Sequence, residues 1–356
     1  MTEQRPFGGK KPHIAAIKII AIFLVIFNHT GESGYMLFAV AKDSLLFPFY
    51  LFLSILCKIA VPLFFMCSGA LLLGREETFK DLLRKRILRY VFVILIFSLA
   101  LYAFAIRQNI EKFSLEYFLQ TVYSSRIRTS YWFLYSYLAI LFMLPLLRKF
   151  AKALDGRTVV YFIALEILFL GIVPSLEYLF NHGEFHINLS ISLIQDNIFY
   201  MIMGYWFENA LDVRKVTPRQ MAAGSLAALI MIALACVLTV YKGHVDGEYS
   251  EEISQMFHAR FIAIPTIATY ILIKRFFTSR KMSDAFVERL VYLSGLTFGI
   301  YLVHAIFMTL LKPLYDALFP TLRSLPSTLI WVACIMIASG ALTAILKRVP
   351  LVSKLI

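Results

Sequence analysis

The chain has 356 residues, of which 60% are hydrophobic and only 16% charged, and it carries 32 Phe and 19 Tyr. That composition excludes an ordinary soluble domain and points to an integral membrane protein. A net charge of +13 would suggest nucleic acid in a soluble protein; in a membrane protein it has to be counted by side of the bilayer, and no nucleic-acid partner is expected.

Apolar runs long enough to cross a bilayer fall near 14–32, 45–74, 87–106, 131–147, 158–176, 188–207, 219–241, 258–277, 287–311 and 326–346. They predict an all-α, polytopic membrane helix bundle of about ten transmembrane helices, forming one integral-membrane domain over 1–356. The first run is read as a retained span, since no small-residue cleavage pattern follows it and many more spans do. The second is too short for two crossings, so it is taken as one tilted span kinked near Pro62, with Lys58 near its middle and no obvious partner. No loop exceeds about 25 residues, so chemistry is expected inside the bundle or at its mouths. Cys57, Cys67, Cys236 and Cys334 lie in apolar spans without a CxxC or Cys/His pairing, which argues against disulfides and a metal site.

Ten spans return both termini to one side. The segments on that side hold 25 of the 35 Lys and Arg residues, against nine on the other and Lys58 in mid-span. By the positive-inside rule both termini are then cytoplasmic. The opposite side carries acidic residues, including Asp246, Glu248, Glu251 and Glu252.

Depth sorts the polar residues. Lys18 and His29 sit eleven residues apart in the first run, on one helix face and roughly 16 Å apart along the axis. An aligned ionisable pair at membrane depth suggests a polar stripe facing the protein interior; alternatively Lys18 snorkels to the headgroups and His29 ends the helix at the interface. His304, in TFGIYLVHAIF, lies at a depth similar to His29. Two histidines at one level are compatible with a general base and a hydrogen-bonding companion, although His304 could equally bond a neighbouring backbone carbonyl. At the cytoplasmic level stand Lys18, Ser68 in PLFFMCSGALLL, and Arg84, Lys85, Arg86 and Arg89 in LLRKRILRY. Three arginines at a helix entrance suit phosphate, or anchor the span to anionic lipid. Glu166, Asp196 and Asn197 are further polar intrusions, Trp132 belongs to the outer aromatic belt, and Arg126 and Arg128 could meet an anionic acceptor or be plain loop charges.

Taken together, Lys18 with His29, PLFFMCSGALLL followed by LLRKRILRY, YWFLYSYLAILFMLPLL and LSGLTFGIYLVHAIF resemble, in order, the motifs of the acyltransferase 3 family of bacterial membrane-bound O-acyltransferases. The resemblance is closer to stand-alone members acting on surface polysaccharides than to those with a fused esterase-like domain. Two positions depart from the family pattern: Ala15 replaces a frequent acidic residue, and Lys18 a commoner arginine. Glu32, one turn beyond His29, either orients His29 in place of the missing carboxylate or is a solvated loop residue.

The resemblance implies acyl transfer, most often of acetyl, from cytoplasmic acetyl-CoA or another acyl-CoA to a hydroxyl of a carbohydrate or glycan acceptor, without a metal, in the bacterial cytoplasmic membrane and among its lipids. It implies phosphate binding by Arg84, Arg86 and Arg89 near Ser68, with Lys18 leading inward, and His29 as general base oriented by His304 or Glu32. A transporter or flippase for a small polar solute or lipid-linked sugar is the rival expectation.

Overall fold

The computed structural model describes residues 10–107, 113–127, 129–181, 197–249, 257–258 and 260–356, and all its regular elements there are helical. The principal helices are α1 (Pro12–Asn28), α2 (Phe47–Cys57), α3 (Ala60–Leu72), α4 (Leu88–Ala105), α5 (Trp132–Ala153), α6 (Gly156–Glu166), α7 (Asn197–Asn209), α8 (Pro218–Asp246), α9 (Ala263–Ser279), α10 (Asp284–Ser294), α11 (Thr297–Leu310), α12 (Lys312–Leu322) and α13 (Ser324–Leu346). Asp196, Arg128, Glu251, Glu252 and the first part of the run at 188–207 lie outside the described residues.

Six helical stretches are long and apolar enough to cross a membrane: Phe47–Leu72, Phe79–Ala105, Trp132–Ala153, Gly156–Phe180, Pro218–Asp246 and Ser324–Leu346. A seventh forms if α10 and α11, bent by 52°, count as one span. The ten apolar runs coincide with helices wherever they are described, but α1 is a shorter apolar helix of 17 residues. The chain is a multi-pass membrane protein whose lipid-facing surfaces are apolar: α8 turns Leu226, Leu229, Ile230 and Val237 outward.

The second run is one candidate span, Phe47–Leu72, with a break near Pro62, at Lys58 and Ile59. Pro62 sits in the first turn of α3, where its ring displaces the carbonyl four residues earlier, that of Lys58, so the helix fails one turn upstream of the proline. Lys58 lies 4.4 Å over the ring of Tyr35.

Helix α1 is the axis of the bundle and packs on α3, α9, α10, α11 and α13. Its first half, with Ile14, Ile17 and Ala21, joins one apolar cluster; its second, with Ile22, Val25 and Ile26, joins another. Helices α3 and α7 cross with their backbones touching. A Cβ on Gly69 would stand 1.7 Å from the Met201 carbonyl oxygen, and one on Gly204 2.0 Å from that of Met66. That contact fixes the register of Ser68 beside α1.

Candidate functional site

Five helices enclose a cavity of about 240 Å³ at the end of the bundle where α1 begins, here termed the basic end. Helix α1 contributes Lys18 and Val25, α3 Val61, Phe64 and Ser68, the entrance of α4 Lys85, Arg86, Arg89 and Tyr90, α5 Phe133, Tyr137 and Leu141, and α11 Thr297, Phe298 and Tyr301. The spacings of three and four within each set are those of single helix faces, so each helix presents a stripe to the cavity.

Four cations therefore line one chamber. Lys85 pairs with Asp81 one turn earlier at 2.9 Å. Arg86 directs its Nε at both carboxylate oxygens of Glu77, each at 2.9 Å, and Arg148 donates to the same carboxylate at 2.5 Å. Burial alone would raise the Glu77 pKa, but the bonds from Arg148 and Arg86 outweigh it and hold the carboxyl below its usual range. The Arg89 Nε donates to the Leu355 carbonyl at 3.1 Å. Among the described residues no carboxylate pairs with Lys18 or Arg89. The chamber is thus positive in excess, a setting that favours an anionic ligand.

Aromatic rings form the rest of the wall. Tyr90 stacks between Tyr137 and Phe298, with ring centroids 4.9 and 5.7 Å away. Toward the far end Phe133 packs edge-on against Tyr301 at 5.3 Å. Tyr301 and Tyr131 make a reciprocal clasp between α11 and the start of α5: the Tyr301 hydroxyl donates to the Ser130 carbonyl, and the Tyr131 hydroxyl donates to the Leu302 carbonyl at 2.9 Å.

Immediately beyond this wall stand the two histidines. His29 follows Val25 by four residues and His304 follows Tyr301 by three, one turn further along two helices that run in the same direction. Their rings stack with centroids 5.2 Å apart and planes inclined by 27°. His304 is buried, and its Nδ1 lies 2.6 Å from the Tyr301 carbonyl oxygen. A carbonyl only accepts, so in this assignment Nδ1 carries a proton and donates it to that carbonyl. The backbone bond considered for His304 on sequence grounds is present together with the pairing to His29.

Of the residues singled out in the sequence, Lys18, Ser68, Arg86 and Arg89 line the chamber, and His29 and His304 meet above it. Ser68 itself donates to the Phe64 carbonyl at 2.9 Å. Arg84 is exposed and does not line the cavity. Glu32 is exposed in a 3₁₀ turn and makes no hydrogen bond among the described residues. Glu166 is buried and accepts a long 3.5 Å bond from the Tyr200 hydroxyl; Asn197 is buried, whereas Trp132 and Arg126 are exposed, and none of the four lines the chamber. Among the described residues no three metal-ligating side chains converge.

Sequence reasoning passed over Lys85 as a pocket residue, the tyrosines Tyr90, Tyr137 and Tyr301, and a second polar cluster at the same end. There Glu208 is bound by Lys11 and His13 from α1, each at 2.9 Å, and by the Tyr270 hydroxyl at 2.9 Å, with the Lys274 ammonium at 3.6 Å. Lys274 also donates to the carbonyls of Phe207 and Glu208 at 2.8 and 2.9 Å, satisfying the end of α7. Polar residues at apolar run ends were the available signal, but only the fold shows that they meet.

A cationic, aromatic-walled chamber below a histidine pair, within a multi-pass helix bundle, is the frame of a membrane-embedded group-transfer protein. The acyltransferase 3 family, described as an acyltransferase domain, matches residues 13–348, and the chain belongs to it. It is therefore a membrane acyltransferase. Compared with curated proteins and with solved structures, the chain finds no match.

Proposed function

We propose that the protein moves an acyl group, acetyl first among them, from acyl-CoA to a hydroxyl of a sugar or cell-surface glycan, with His29 as general base. The observation that carries this reading is the order of parts along one axis: excess positive charge at the mouth, an apolar and aromatic chamber, and a stacked histidine pair one turn beyond it. The nucleotide phosphates rest against Lys85, Arg86 and Arg89, whose side chains already lean on one wall. The pantetheine arm follows the chamber past Lys18 and Ser68. Arg84, outside the cavity, is left to contact the part of the nucleotide that remains on the protein surface.

In this reading the basic end is cytoplasmic, the ten apolar runs cross a bacterial cytoplasmic membrane, and both termini face the cytoplasm, in line with the 25 of 35 basic residues on that side. The acceptor comes from the opposite side. Its hydroxyl proton passes to the His29 imidazole as the oxygen attacks the thioester carbonyl. The new carbon–oxygen bond forms, the carbon–sulfur bond breaks, and the leaving thiolate takes up a proton to depart as free CoA. His304, fixed by the Tyr301 carbonyl, holds the His29 ring in place by stacking. No metal is needed for this sequence of steps.

Calorimetric titration of the detergent-purified protein with acetyl-CoA tests the donor. Saturable binding that free CoA competes away is the expected result. A well-folded sample that binds neither acetyl-CoA nor succinyl-CoA would sink the acyl-CoA reading and move the assignment to a transporter or flippase.

A further inference from the structure

The chamber stops short of the histidines it points at. Neither His29 nor His304 lines it, and the lining residues furthest from the basic end along their helices include Val25, Val61, Phe64, Phe133 and Tyr301. The only polar side-chain atom in that group, the Tyr301 hydroxyl, is turned away to the Ser130 carbonyl. The Tyr301 ring lines the chamber and is also next to the histidine pair: it lies 5.8 Å from the His304 ring, 5.3 Å from Phe133 and 6.3 Å from Tyr131. Lys18, the innermost cation on α1, is seven residues back from Val25, about 10 Å along the axis.

We propose that Tyr301 is the roof of the donor chamber and restricts the transferred group to short, uncharged acyl chains. The inference rests on the acyl-CoA reading and adds the substrate class. Val25 and Tyr301 each stand one turn below a histidine, so a thioester carbonyl brought up to the roof comes within about 5–6 Å of the imidazole level. A two-carbon acyl group ends there. Each further methylene must displace a ring pinned by a hydrogen bond on one side and by aromatic contacts on the others. A carboxylate-bearing chain such as succinyl would place its charge among apolar side chains about 10 Å along α1 from the Lys18 level, where it loses hydration. Tyr301 is thus a specificity-determining residue, acting by the space its ring occupies and not by proton transfer.

The test is thiol release from acetyl-, butyryl- and succinyl-CoA by the full-length protein in detergent, with acyl-CoA binding measured on the same samples. Wild type should favour acetyl-CoA, losing roughly tenfold in kcat/KM per added methylene. Tyr301→Phe keeps the ring and should keep the wild-type order of donors. Tyr301→Ala should raise the butyryl-to-acetyl ratio of kcat/KM by about tenfold. Val25→Ala opens the roof from α1 without touching the Tyr301 clasp, should shift the ratio the same way by less, and decides the matter if Tyr301→Ala does not fold. An unchanged ratio in the folded variants, or a wild type that prefers succinyl-CoA, overturns the roof while leaving the donor reading intact. Absence of binding of every acyl-CoA to folded wild type overturns both.

Discussion

Two polar clusters occupy the basic end of the bundle and differ in whether each lysine or arginine meets a carboxylate. Around Glu208 every partner is in place: two lysines, a histidine and a tyrosine converge on one buried carboxylate. Around Arg89 the cations outnumber the carboxylates and face a chamber. Cations gathered on one shared carboxylate hold helices α1, α7 and α9 together, whereas Lys18 and Arg89, with no carboxylate partner among the described residues, face space that is positioned to receive something negative. The same residue types therefore tie helices together in one cluster and line open space in the other.

The largest effect belongs to the histidine pair. His29→Ala should lower acyl transfer by about 10²- to 10⁴-fold, the usual worth of a general base, with acyl-CoA affinity unchanged by titration. Glu208→Ala should act on stability: it strands the buried Lys274 and removes the tie between α1 and α9, costing on the order of 3 kcal/mol, seen as a clear drop in the detergent melting temperature. Arg89→Ala should do the reverse, weakening acyl-CoA binding by about tenfold while leaving the melting temperature near wild type. If Arg89→Ala unfolded the protein and Glu208→Ala only weakened donor binding, the contrast between the clusters would be inverted.

The smallest effect is acid dependence at Glu77. Its folded-state pKa is depressed by Arg148 and Arg86 below the ordinary glutamate value of 4.5, so its contribution to stability is fully present above that value and is lost as pH falls through the folded-state value. Glu77→Gln should lower the melting temperature by a few degrees near neutrality, roughly the yield of one partly exposed charge network. The gap from wild type should narrow as pH falls below the ordinary glutamate value of 4.5 and close once pH is below the lowered folded-state value. A gap that persists in acid would mean that Glu77 acts through packing and not through charge.

The sequence reveals depth better than it reveals neighbours. Lys18, His29 and His304 are legible because ionisable residues interrupt apolar runs, and their levels follow from counting residues along a helix. Which side of a helix faces the chamber is less visible. Lys85, Arg86 and Arg89 form one contiguous face and Arg84 points elsewhere, since residues two apart in a helix do not share a face. Tyr90, Tyr137 and Tyr301 pass as ordinary aromatic content among 19 tyrosines. Glu32 follows His29 closely, but the chain leaves the helix at His29 and the carboxylate ends in an exposed turn. The Glu208 cluster joins residues about 195 positions apart, a pairing that no local pattern announces. The break at Lys58 was readable in principle, because a proline disrupts the turn before it and not its own.

The account is tested most directly by measuring acetyl-CoA binding and thiol release side by side on wild type and His29→Ala, both checked for monodispersity and melting temperature. The account predicts that His29→Ala binds acetyl-CoA as tightly as wild type and releases thiol at least about a hundredfold more slowly. Thiol release at the wild-type rate by folded His29→Ala would contradict it.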